Sequence, residues 1–180
     1  MNQLDFQTTA DILSADNRIS ILSSCGIFSP AEVNHPLFNS ALIEILIYAA
    51  DLTGKAARFG CRVDFQDDVS IPGGRTVKDV TELLSLARSA ACHVTSGTHT
   101  FDKAQRGRVK FSLIYGKGRL MKHENVLLFS DIDNDFAFFF GDIRVYYDAH
   151  IMRASVAALE NLALLMDPFE RRQIKLLPQP

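Results

Sequence analysis

The segment from Leu37 to Phe59 offers almost no polar face in its first half. Leu42, Ile43, Ile45, Leu46, Ile47, Tyr48, Ala49 and Leu52 crowd it, and the stretch Ala41 to Ala50 is interrupted only by Glu44 and stopped by Asp51. A helix that is apolar most of the way round must be covered on most sides, which predicts a place in the middle of a bundle. Its most apolar stretch, Ala41 to Ala50, falls well short of the ~20 residues that a membrane span requires. The N-terminal Met1 to Phe6 has neither a basic start nor an apolar run of signal-peptide length. The expectation is a soluble, cytoplasmic protein.

The other elements follow from spacing. A short helix is predicted within residues 8 to 24, with Thr8 and Asp11 at capping-box distance. Ser29-Pro30-Ala31-Glu32 reads as a further helix start, soon interrupted by Pro36. Thr76 to Thr95 places Val77, Val80, Leu84, Ala87, Ala91 and Val94 at three-four spacing, a regular helical stripe. Beyond Gly97 the pattern turns to strands at Val109 to Tyr115, Val126 to Phe129, Phe136 to Phe140 and Ile143 to Tyr147. Gly141-Asp142 is the tight turn between the last two. A final helix is predicted from Asp148 to Met166, ended by Asp167-Pro168. The fold class expected is mainly α: an antiparallel helical bundle with a small antiparallel β insertion before the last long helix. It forms one domain over 1–168, with the insertion at about 105–147 and a loosely held C-terminal tail over 169–180.

Composition excludes several classes. Hydrophobic residues are 47% and charged residues 22% of 180 positions, an ordinary globular balance. The net charge of −2 means that attraction to nucleic acid would have to come from a local patch. Cys25, Cys61 and Cys92 are odd in number and lack ligand or CxxC spacing, which fits a reducing cytosol and gives no zinc site. No GxxxxGK[ST], GxSxG, HExxH or GxGxxG is present, so no cofactor or metal is implied. Gly116-Lys117-Gly118-Arg119 has the look of a phosphate loop but lacks the helix start that would complete one, and reads as a hairpin turn. Asp131, Asp133 and Asp135 resemble the start of a calcium loop. Phe136 stands where Gly is needed and Asp142 where Glu should close the loop, so a solvated turn is expected.

One patch does favour nucleic acid. Lys103, Arg106, Arg108, Lys110, Lys117, Arg119 and Lys122 form a run of seven basic residues with no acidic one, interleaved with Phe111 and Tyr115. Such a strand and loop can neutralise phosphates and stack bases; a solvated sheet edge kept from pairing by lysines has the same composition. Arg106, Arg108, Lys110, Lys117 and Arg119 are the candidate RNA-binding residues. His35, His99 and His123 have no partners at suggestive spacing.

The second informative segment is Asp79 to His93, where Arg88 is followed after four residues by His93 near the end of a predicted helix. Five residues of helix turn His93 roughly 140° from Arg88 and about 7.5 Å along the axis. Thr81, Ser85, Ser89 and Cys92 lie near this side, all small. Small side chains let another helix approach closely, either a neighbour in the same bundle or the same helix of a second copy. A second Arg and His pair, Arg144 and His150, straddles a predicted strand end and helix start.

Arg, four to six residues, then His on a bundle helix resembles the motif of the HEPN superfamily, and the resemblance covers about residues 37 to 96 and 148 to 166. It implies a homodimer in which two such helices meet, here through Thr81, Ser85, Ser89 and Cys92, with Arg and His of both copies lining an RNA cleft. It further implies a metal-independent endoribonuclease that uses the RNA 2′-hydroxyl as nucleophile, with Arg88 stabilising the phosphorane and His93 moving a proton. A toxin or defence effector with an antitoxin partner belongs to the same implication. The alternative is a non-catalytic RNA- or nucleotide-binding protein, or a dimeric scaffold.

Overall fold

The apolar segment forms a helix over Phe38–Arg58, and its burial follows its composition. In the computed structural model, which describes residues 4–69, 76–92, 111–123 and 126–177, Leu42, Ile45, Leu46, Ala49, Leu52 and Ala56 of this helix are all but sealed from solvent. Helix α1 (Phe6–Ser24) and helix α4 (Arg153–Ala163) both pack on this central helix, α2. Ile12, Ala15 and Ile19 come from α1, and Ala158, Leu159 and Leu162 from α4. Burying a Leu or Ile side chain stabilises by about 1.5–3 kcal/mol each, so this stripe is what holds the helices together.

Residues 1–63 and 153–180 make one compact unit, and residues 64–152 make another. About half of the structure is helical, with the sheets confined to the second unit. No helix among the described residues is long and apolar enough to cross a membrane.

In the first unit, α1 starts three residues earlier than its Thr8/Asp11 capping signal suggests. Asp5 is the N-cap: its carboxylate accepts the Thr8 amide at 2.7 Å and the Thr8 hydroxyl at 2.9 Å. Those bonds hold the Asp5 carboxyl below its ordinary pKa. Ser29-Pro30 opens only a 3₁₀ turn over Pro30–Glu32. Residues 168–176 are held rather than loose. Pro168–Arg171 forms α5, with a capping box between Asp167 and Glu170. Beyond it, the buried Asp16 carboxylate of α1 accepts the amides of Lys175 at 2.7 Å and Leu176 at 3.0 Å. Burial raises the Asp16 carboxyl, and the two amides only partly offset it.

The second unit holds α3 (Val80–Cys92) and two antiparallel sheets. Strands β1 (Ser112–Tyr115), β4 (Phe136–Phe140) and β5 (Ile143–Tyr146) form a sheet in the order β1-β4-β5. Strands β2 (Gly118–His123) and β3 (Val126–Ser130) pair separately. β4 is buried along its whole length, so its five residues, Phe-Ala-Phe-Phe-Phe, need an apolar neighbour on both faces. Phe136 and Phe138 stack at 5.8 Å, with Tyr115 and Phe111 against them. On the other face Ala137 and Phe139 join Leu128 and Tyr146. The β4–β5 hairpin closes where Phe140 pairs with Ile143, and Gly141 takes the left-handed φ of 66° that a tight turn demands.

Within the second unit α3 packs on β5 and β4, burying Val80, Leu83, Leu84, Ala87 and Ala90. The helix begins four residues later than Thr76, because Asp79 caps it by accepting the Glu82 amide at 3.0 Å while Glu82 accepts the Lys78 amide at 2.8 Å. The segment after β5 also departs from a plain helix: Tyr147–Met152 winds as a π-helical turn before α4. Asp135 anchors that turn, its two carboxylate oxygens accepting the amides of Asp148 and Ala149 at 2.9 and 3.0 Å.

Candidate functional site

The sheet covers one side of α3 and leaves the other open. Arg88, Ser85 and Cys92 are exposed and Ser89 is half-buried, whereas Thr81 is buried within the unit. At about 100° per residue, Ser85, Arg88, Ser89 and Cys92 fall within roughly one third of the helix circumference. Arg88 has no hydrogen-bond or ion-pair partner among the described residues, so its guanidinium is unspent on structure. His93 follows the last described residue of the helix and lies outside the described residues, as do Arg106, Arg108 and Lys110.

Lys117 and Arg119, the other two candidate RNA-binding residues, are exposed, one just before β2 and one at its start. Gly116 makes the turn before them, with φ of 71° and an amide donated to the Asp135 carbonyl at 2.9 Å. A β-strand there went unrecognised in the sequence because glycines flank Lys117. The Lys117 ammonium sits 2.7 Å from Asp133, and that partner raises its pKa. Both side chains are more than half exposed, so the pair is screened by solvent, adds little to stability and can be exchanged for another anion.

The second Arg and His pair has a different fate. Arg144 is 1% exposed on β5 and His150 is fully buried in the π-helical turn. The Arg144 guanidinium lies 4.7 Å from the centre of the Phe129 ring and 5.0 Å from that of Tyr146. Its Nη1 donates to the Phe129 carbonyl at 3.1 Å and to Asp131 at 3.3 Å. His150 accepts the Tyr146 amide on Nδ1 at 3.1 Å, which leaves Nε2 to donate to the Asp67 carbonyl at 3.3 Å. A pair so enclosed orders β5 and the turn after it and cannot reach a polymer substrate.

Tyr146 and Asp131 complete this network. The Tyr146 hydroxyl donates to Asp131 Oδ1 and accepts the Asp131 amide at 3.2 Å. Burial pushes the Asp131 carboxyl up, but the Tyr146 hydroxyl and the Arg144 charge outweigh it, and the carboxyl lies below its ordinary range. Tyr146 moves the opposite way, raised by burial and then by its bond to the carboxylate. The three aspartates that resembled a calcium loop thus have separate tasks. Asp131 holds Tyr146, Asp133 pairs with Lys117, and Asp135 caps the π-helical turn.

Comparison with protein-family profiles, with curated proteins and with solved structures gave no match. The chemistry available to the chain therefore rests on its own residues.

Proposed function

We propose that the chain is a metal-independent endoribonuclease of the HEPN type, acting as a homodimer in the cytoplasm. The observation that carries this reading is Arg88: a solvent-facing guanidinium with no structural partner among the described residues, set on a helix face of small side chains. Two such helices can approach closely through Ser85, Ser89 and Cys92, and both copies then contribute Arg88 and His93 to one cleft. Thr81, the fourth residue assigned to that face, is largely buried within its own unit.

In this mechanism the RNA 2′-hydroxyl attacks the adjacent phosphorus and the bond to the 5′-oxygen breaks. His93 moves a proton onto or off the RNA oxygens, since imidazole titrates near neutrality. Arg88 holds the phosphorane charge with its two-pronged guanidinium. Lys117 and Arg119 contact the phosphate backbone, with Asp133 giving up Lys117 to a phosphate. Arg106, Arg108 and Lys110 extend the same basic run. The role in the cell is that of a toxin or defence effector, held in check by an antitoxin.

One residue favours a second reading. Ser89 directly follows Arg88, where the superfamily often has Asn, Asp or His. A protein that binds RNA or a nucleotide without cutting it, or a dimeric scaffold, fits that departure. The two readings separate on incubation of purified protein with single-stranded RNA in EDTA. The ribonuclease leaves a 2′,3′-cyclic phosphate and a free 5′-hydroxyl; intact RNA that co-migrates with the protein supports the binding reading instead.

A further inference from the structure

The helical unit carries a groove of about 260 Å³ between the start of α1 and the chain end around α5. Phe6 and Phe169 line it and are 83% and 76% exposed, an unusual cost for two aromatic rings in one place. Asp167 and Glu170 line it as well. Asp167 Oδ1 accepts the Phe169 and Glu170 amides and Glu170 Oε2 accepts the Asp167 amide, so each carboxylate keeps one oxygen uncommitted among the described residues. Neither has an ion-pair partner there, because the neighbouring Arg171 turns its guanidinium to the carbonyls of Ala163 and Met166. Thr9, only 3% exposed, adds a buried Oγ1 with no hydrogen-bond partner among the described residues.

Exposed aromatic rings, two carboxylates and an unpartnered hydroxyl converge on one ligand chemistry. A guanidinium stacks on aromatic faces, forks to carboxylates and has donors to spare for a hydroxyl. The volume lies below the range usual for small-molecule sites, and suits one long side chain. A free amine would leave the Phe6 and Phe169 rings in water, whereas a peptide flanking its arginine with apolar residues covers them. The geometry points to a docking groove for a partner protein's peptide segment, anchored by one arginine between Phe6 and Phe169 and read by Asp167, Glu170 and Thr9. The groove lies wholly in the helical unit, so this inference stands independently of RNA cleavage by Arg88 and His93.

The test is fluorescence polarisation on the full chain with a labelled Gly-Ser-Leu-Arg-Leu-Ser-Gly peptide and its counterpart carrying neutral citrulline for arginine. The arginine peptide should bind about tenfold or more tightly than the citrulline peptide, and its affinity should fall with salt. Phe6→Ala and Phe169→Ala should each weaken it by a similar factor without altering the circular dichroism, since both rings are exposed. Glu170→Gln should remove the preference for arginine over citrulline. Equal affinity for the two peptides, absence of binding, or indifference to both phenylalanine changes overturns the proposal. So does competition by free arginine amide as effective as by unlabelled peptide, which assigns the groove to a small amine. Self-association in sedimentation that Phe169→Ala abolishes would assign it to a second copy, with the same consequence.

Discussion

Tyr146→Phe isolates the polar network behind β5, because it removes one oxygen and leaves the buried ring in place. That oxygen has two bonds to lose: a donation to the Asp131 carboxylate and an acceptance from the Asp131 amide. A hydrogen bond to a charged group contributes about 1.5–3 kcal/mol, and a neutral one about 0.5–1.5 kcal/mol. The Asp131 side chain is 49% exposed, so water replaces part of what is lost and the lower ends apply. The expected cost is about 2 kcal/mol. With a urea dependence of about 2 kcal/mol per M, the unfolding midpoint should fall by about 1 M. Far-UV circular dichroism is the suitable readout, since the chain has no tryptophan and the change deletes a tyrosine signal.

The pH dependence is the sharper part of this prediction. The folded Asp131 carboxyl lies below the unfolded value of 3.8, so its contribution is complete above that value and disappears as pH falls through the folded one. The gap between wild type and Tyr146→Phe should stay constant from pH 7 to about pH 5 and narrow below 3.8. A double-mutant cycle with Asp131→Asn should return most of the cost as coupling between the two side chains. A midpoint change under about 0.2 M, or a gap undiminished at pH 3, would refute the assignment of Tyr146 to a charge-assisted bond.

Three further outcomes follow. Asp16→Ala removes the acceptor of the Lys175 and Leu176 amides, and should raise their hydrogen-exchange rates toward those of an unstructured tail while the amides of α2 stay protected. Ser85→Arg places bulk and charge on the open face of α3 and should convert a dimeric wild type to monomer in sedimentation; a monomeric wild type contradicts the dimer. RNA affinity, measured across a salt series, should fall steeply, and Lys117→Glu with Arg119→Glu should reduce the slope by about two phosphate contacts.

The helices and the hydrophobic strands were legible because each announces itself over many consecutive residues. α2 needs a burying neighbour on most sides, and five apolar residues in β4 followed by Gly141-Asp142 could form little other than a strand and turn. β2 was not legible: Gly116-Lys117-Gly118 has the composition of a turn, and only pairing with β3 makes the residues after it a strand. The α1 cap was missed because Thr8 and Asp11 offered a second local pattern that competed with Asp5. The held tail depends on Asp16, far away in sequence, and no window of neighbouring residues contains that bond. The site divides in the same way. Arg88 could be read from its helix because a helical face is local, and it is exposed as its place at the edge of the apolar stripe implies. The burial of Arg144 and His150 arises from Phe129, Asp131 and Asp67 on other segments. Spacing alone matched both Arg and His pairs and the helical setting favoured Arg88 and His93; the burial of Arg144 and His150 sets that second pair apart as structural.

That separation shapes the most direct test of the proposed ribonuclease activity. Arg144 and His150 cannot serve as control substitutions, since removing either opens a buried network; Arg58→Ala, exposed at the end of α2, is a suitable control. Cleavage of single-stranded RNA should be followed in EDTA for wild type, Arg88→Ala, His93→Ala and Arg58→Ala. Loss of the proton carrier in His93→Ala should slow cleavage by about 10²–10⁴-fold. Arg88→Ala should slow it by about 10²–10³-fold through weaker charge stabilisation. Arg58→Ala should match wild type. Cleavage that vanishes in EDTA, or that persists undiminished in both Arg88→Ala and His93→Ala, contradicts the assignment of these two residues to catalysis.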